Sequence, residues 1–268
     1  LTRNPFVLIS PAMGIGSRYY RPLVAAFTEQ GWQARALTRR GFEREGPRAL
    51  RASRAHDWSY ADEIDDMASA VAESGAQDPG RPVILLGHSL GAQIAAGHQL
   101  TQDPADGVVT VGGCLPYHRH YPLGGPHLVL MGGVIVPVLT GLFGHLPKPA
   151  FGGPGARTLM REWGRMAVTG RTPFPSGEAI TSPSLLIALE GDRLAPPSAV
   201  EKFGTRLFAA DSVTHWVYRD ADVPDGASND HIHWVKEPGL VVRRTAAWWQ
   251  VHSRVMNRHE NPNKDSLL

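Results

Sequence analysis

The chain has 268 residues, 42% of them hydrophobic, which is enough for a large core and excludes disorder as a description of the whole. Its 27 basic and 25 acidic residues nearly cancel and the basic ones are dispersed, so no general attraction to nucleic acid or to an anionic membrane is expected. The single cysteine, Cys114, excludes an intrachain disulfide, as suits a reducing cytoplasm.

The chain opens without Met and without a secretory pattern, directly into strand-like Phe6-Val7-Leu8-Ile9, so further residues are expected upstream of Leu1. A turn from Ser10 to Gly16 follows, then a helix from Tyr20 to Gln30 stopped by Gly31, and a second strand from Gln33 to Leu37. A helix is expected over Trp58 to Glu73, with Asp57 as its N-cap and Trp58 as a packing aromatic. Pro82 to Leu86 is a near-continuous apolar run, the pattern of a central strand buried on both faces. Ser89 to Leu100 reads as a helix and Gly107 to Val111 as a strand, with Cys114 a buried, inert thiol just beyond it.

From Pro116 to Thr181 this rhythm breaks. The stretch is dense in Gly and Pro, has a helix-like piece around Arg157 to Val168, and is too long for an ordinary loop. Its most apolar part, His127 to Phe143, is interrupted by glycines and Pro137 and falls short of the ~20 residues needed to span a bilayer. It is expected to be buried or to face a substrate. Alternation resumes with a strand from Ser184 to Leu189, a helix from Pro197 to Leu207, a strand from Val213 to Tyr218 and a closing helix from Gly239 to Val255. The expected architecture is α/β: a mostly parallel sheet with helices on both faces. Residues 1–115 and 182–256 form its core, 116–181 an inserted cap and 257–268 a polar tail.

Gly87-His88-Ser89-Leu90-Gly91 stands where strand gives way to helix. A nucleophile on such a turn is held in a strained backbone conformation, and small neighbours make room for it. The pattern alone is weak; strand before and helix after make it specific. Gly14-x-Gly16, by contrast, lacks the third glycine and the acidic residue of a dinucleotide site, since Arg39 stands there.

With this elbow in place, the chain resembles the α/β-hydrolase superfamily from about Phe6 to Val255. Within it, the chain is similar to bacterial predicted hydrolases that open with a Ser-Pro-Ala-x-Gly turn. The matching residues are Ser10-Pro11-Ala12-Met13-Gly14, Tyr20-Arg21-Pro22, Arg40-Gly41, Asp57-Trp58 and Trp163. The resemblance implies a triad in the order Ser, acid, His. Asp192, in Gly191-Asp192-Arg193-Leu194-Ala195-Pro196, matches the acid, with Glu190 as rival. His231, in Asp230-His231-Ile232-His233-Trp234, matches the base, with His233 as rival. Leu90 and Met13 are the expected backbone donors of the oxyanion hole, Ala12 being the alternative to Met13.

His88, Tyr117, His118 and Trp163 are expected to bind substrate. His118 and His120 lack a third ligand at a typical spacing, so no metal is expected, and no cofactor is implied. The expected activity is cleavage of an ester or thioester of a small hydrophobic acyl substrate. The alternatives are acyl transfer or cyclisation from the same acyl-enzyme, and a catalytically silent binding protein. The serine argues against epoxide hydrolases and haloalkane dehalogenases.

Overall fold

A computed structural model of the chain describes residues 3–260. Short segments, the central ones apolar, form a six-stranded sheet from β1 (Phe6–Ser10), β2 (Gln33–Ala36), β3 (Val83–His88), β4 (Gly107–Val111), β7 (Ser184–Leu189) and β8 (Val213–Tyr218). Its order is β2-β1-β3-β4-β7-β8 and every pairing is parallel. β3, β4 and β7 are buried at every residue, which explains why they read as nearly continuous apolar runs.

The helices divide between the two faces. α1 (Arg21–Glu29) and α8 (Gly239–Glu260) cover Val7, Ile9, Ile84, Leu86, Val109 and Ile187. α2 (Tyr60–Gln77), α3 (Leu90–Thr101) and α7 (Pro197–Leu207) cover Leu8, Leu85, Val108 and Leu186. α3 lies deepest and is buried from Leu90 to Gln99. The expected tail begins later than the sequence suggested: α8 continues to Glu260, and residues 261–268 lie outside the described residues.

The chain leaves β1 toward β2 on one side and returns to β3 on the other. The strand order therefore reverses between β1 and β3, and a crevice opens at their carboxyl ends. Ser10 pairs with Gly87 there, so the turn after β1 and the elbow after β3 are neighbours by topology.

Between β4 and β7 the chain forms α4 (Pro126–Leu130), a π turn (Met131–Ile135), α5 (Val136–Phe143), a short antiparallel pair β5 (His145–Leu146) with β6 (Gly155–Ala156), and α6 (Arg157–Thr169). Asp57 holds this segment to the core. Its carboxylate accepts from the backbone N–H of Thr158 at 2.9 Å and from the Thr158 hydroxyl at 2.7 Å, so it caps α6, not the helix that follows it in sequence. That following helix, α2, is capped by Ser59 in a reciprocal box with Asp62. Glu162 of α6 in turn accepts from the N–H of Tyr60 at 2.8 Å. Asp57, just before α2, thus serves the first turn of α6, and Glu162 within α6 serves the first turn of α2.

Candidate active site

Ser89 sits between β3 and α3 with φ 55° and ψ −114°, a conformation that a non-glycine residue adopts only where its surroundings enforce it. Its N–H donates to the Val111 carbonyl at 3.1 Å. The backbone around it is packed too closely for side chains. A Cβ on Gly91 would come within 2.1 Å of the Ser10 carbonyl oxygen, and one on Gly87 within 2.5 Å of the Ala92 backbone. The glycines of the elbow therefore let α3 press against the turn after β1.

Three residues from separate elements converge here. The Ser89 hydroxyl lies 2.9 Å from Nε2 of His231, and Nδ1 of His231 lies 2.6 Å from Oδ2 of Asp192. The other Asp192 oxygen accepts from the N–H groups of Leu194 and Ala195 at 2.7 and 2.8 Å, which fixes the carboxylate's rotation. An acceptor at Asp192 leaves the proton of His231 on Nδ1 and the lone pair on Nε2, facing the hydroxyl. The alternatives face elsewhere. Glu190 accepts from the N–H of Asp220, and the exposed His233 ring is held by Asp230.

The loop carrying His231 is anchored at successive carbonyls. Tyr19 donates its hydroxyl to the Ile232 carbonyl at 2.9 Å, and Nε2 of His88 donates to the His231 carbonyl at 2.7 Å. Below the imidazole, Asp230 accepts from the N–H groups of Ile232 and His233. These bonds hold the Asp230 carboxyl well below its ordinary value even though burial pushes the other way.

The turn after β1 is pinned through one peptide unit. Arg39 donates to the Pro11 carbonyl, while the N–H of Ala12, on the same peptide, donates to the Tyr20 hydroxyl at 2.8 Å. Arg39 is itself paired with Glu63 at 3.0 Å, both side chains being almost wholly buried. Burial pushes the Glu63 carboxyl up despite that partner. With the Ala12 N–H engaged, the next donor along the turn is Met13.

Met13 and Leu90 border a cavity of about 500 Å³ that opens onto Ser89 and His231. Its wall is mostly apolar and includes Ile15, Leu128, Met131, Phe151, Trp163 and Leu194. Phe151 and Trp163 meet edge to face at 5.1 Å. Cys114 also borders it, but the thiol bonds the Tyr121 hydroxyl at 3.2 Å and burial pushes it up to about 12, so it is inert.

Of the four residues expected to touch substrate, only Trp163 lines this cavity. His88 is fully buried behind the elbow: successive strand residues point to opposite faces, so the residue before Ser89 is turned away from it. Tyr117 packs its ring on Gly170 at the end of α6, and His118 donates to the Gly124 carbonyl, both away from the cavity. Sequence reasoning missed Gly112, whose φ of 56° turns the chain after β4. A Cβ there would come within 2.9 Å of Oδ2 of Asp192 and 3.2 Å of Nδ1 of His231. The Gly112-Gly113 pair at a strand end was the available signal. Tyr20, Arg39 and Glu63 carried no local signal of this role. Among the described residues no group of three or more His, Cys, Asp or Glu could hold a metal ion.

The family model described as "Serine aminopeptidase, S33" matches residues 3–146, just over half of the chain. No curated protein sequence matches it. Solved structures are similar over nearly the whole length. A soluble variant of monoglyceride lipase from Saccharomyces cerevisiae, in complex with a substrate analog, aligns with TM-score 0.64 and 15% identity over 94% of this chain and 87% of that one. The monoacylglycerol lipase of Paleococcus ferrophilus aligns with TM-score 0.58 and 17% identity over 92% and 97%. The type II thioesterase BorB from the borrelidin biosynthetic cluster aligns with TM-score 0.53 and 18% identity over 91% and 92%. At such identities the likeness is one of fold.

Proposed function

This chain belongs to the serine aminopeptidase S33 family of α/β-hydrolases, and from that premise we propose that it cleaves an ester or thioester of a hydrophobic acyl substrate through an acyl-enzyme on Ser89. The observation that carries this reading is the hydrogen-bonded series Ser89–His231–Asp192 at the mouth of the apolar cavity. Among the described residues the cavity wall has no Asp or Glu. An N-terminal ammonium group would therefore find no counter-charge, whereas an acyl chain finds Leu128, Met131 and Phe151.

In this mechanism Nε2 of His231 takes the hydroxyl proton as Ser89 attacks the acyl carbon. The N–H groups of Met13 and Leu90 receive the oxygen that becomes negative, each such donor contributing about 3 kcal/mol. Asp192 stabilises the imidazolium without taking its proton. The imidazolium returns the proton to the leaving alcohol or thiol as its bond to the acyl carbon breaks. Water, deprotonated by the same imidazole, then attacks the acyl carbon; the Ser89 oxygen leaves and is reprotonated. The segment between β4 and β7 acts as a cap, supplying Leu128, Met131, Phe151 and Trp163 as the wall that receives the acyl group.

Two measurements on the intact chain test this. A fluorophosphonate probe should label the chain at Ser89, and p-nitrophenyl esters of increasing acyl length should be turned over better than the acetate. Ser89→Ala should lose labelling and lower turnover by several orders of magnitude. Labelling that persists in Ser89→Ala would assign the nucleophile elsewhere.

A further inference from the structure

The helical run through α4, the π turn and α5 has an outer face that the fold does not cover. From Pro122 to Phe143 it contains no Asp, Glu, Lys or Arg, and it is long and apolar enough to cross a membrane by length and composition. One row, Leu128, Gly132, Val136 and Thr140, is buried within the fold, and at Gly132 the backbone lies directly against Gly164 of α6. The opposite row, Leu130, Val134, Val138 and Leu142, is 51–63% exposed. This corrects the expectation of a segment that is simply buried or substrate-facing: only one side is. A helix apolar on every side is ordinarily covered on every side, and a row of this size marks a contact surface.

Charge selects what covers it. Arg54 donates to the Leu142 carbonyl at 2.6 Å, so one guanidinium group stands at the outer row, while Arg161 of α6 bonds the Thr140 hydroxyl of the inner row at 2.9 Å. Arg119 and Lys148 are exposed on the segments before and after the helix. Between β4 and β7 there are six Lys and Arg against two Glu; Arg157 is paired with Asp57 at 3.2 Å and Glu162 is turned inward onto α2, which leaves five cations against Glu178. The near-neutral charge of the whole chain hides this local excess. A second copy docking by two-fold symmetry would bring these like charges together. Anionic headgroups neutralise it while the acyl region takes up the apolar row.

We propose that the outer face of the 126–143 helix docks on the surface of an anionic phospholipid bilayer, with the helix lying in the interface plane. It does not cross, because its inner row is packed within the protein. Leu128 and Met131 of the same helix line the cavity before Ser89. Docking therefore brings the cavity wall to the phase that holds apolar ligands. The docking is independent of the chemistry at Ser89.

Co-sedimentation tests it, using the full chain carrying Ser89→Ala so that the lipid is not consumed. The protein should pellet with mixed phosphatidylglycerol–phosphatidylcholine vesicles at low salt. It should pellet on the order of tenfold less with pure phosphatidylcholine or at high salt. Val134→Ser, Val138→Ser and Leu142→Ser together should reduce pelleting by a similar factor, with an unchanged melting curve. Arg119→Glu with Lys148→Glu reads the electrostatic part without altering the helix. Absence of pelleting at low salt would overturn the proposal, as would equal pelleting by the triple variant. A solution dimer that the triple variant abolishes would assign the face to a second copy instead.

Discussion

The Tyr20 hydroxyl donates to Nδ1 of His88 at 2.7 Å while accepting the N–H of Ala12, so one phenol joins the turn after β1 to the histidine behind the elbow. The opposite nitrogen of that histidine bonds the His231 carbonyl. Ala12 and His231, more than two hundred residues apart in sequence, are thereby tied through two buried side chains. If Met13 and His231 act in the same step, Tyr20 and His88 set their separation.

Tyr20→Phe removes one hydroxyl and leaves the ring's packing. In a fully buried site this frees the Ala12 N–H and loosens the turn that presents Met13. The expected result is a fall in kcat of about tenfold with KM little changed, because the loss falls on alignment rather than on binding the acyl chain. Steady-state kinetics on one p-nitrophenyl ester separate the two; a change confined to KM would refute the positioning role.

His88 also shapes stability against pH. Burial first, then the nearby His231 and Arg39, hold its pKa well below the ordinary 6.5, so the folded chain keeps this imidazole neutral. In the unfolded chain it takes up a proton below about 6.5. The unfolded state then binds more protons, and folding stability falls as pH drops through that range. His98, also lowered by burial, adds to the same slope. Urea midpoints measured from neutral to mildly acidic pH should decline, and His88→Gln should flatten that decline.

Arg39 and Glu63 separate stability from positioning. Arg39→Met alone strands a buried carboxylate and should cost about 3–5 kcal/mol. Arg39→Met combined with Glu63→Leu removes both charges and should recover most of that loss. Activity should stay low in the double variant, because the Pro11 carbonyl still lacks its donor. Chemical denaturation and ester turnover of the three variants give the comparison; recovered activity in the double variant would show that the pin is dispensable.

Gly112→Ala should damage the site more than its size suggests. Its positive φ alone costs about 1 kcal/mol, and its methyl would press on Asp192 and His231. Turnover should fall more than tenfold while the melting temperature drops by only a few degrees. An active Gly112→Ala enzyme would show that the Asp192–His231 pair has room to shift.

Local pattern was sufficient for much of this protein. The unbroken apolar runs at Val83–Leu86 and Leu185–Leu189 specify buried parallel strands because such strands have no polar face to alternate with. Gly87-x-Ser89-x-Gly91 specifies a turn because only small residues fit there, and the order of the candidate residues along the chain follows from the architecture. Facing and partnership were decided in three dimensions. Asp57 caps α6, 101 residues away in sequence, because a capping oxygen serves whichever helix end folding brings to it. His88 turns inward because its strand is buried on both sides, and composition does not tell one buried face from the other. The row from Leu130 to Leu142 reads in sequence like core; only the packing of its opposite face against α6 leaves it outside.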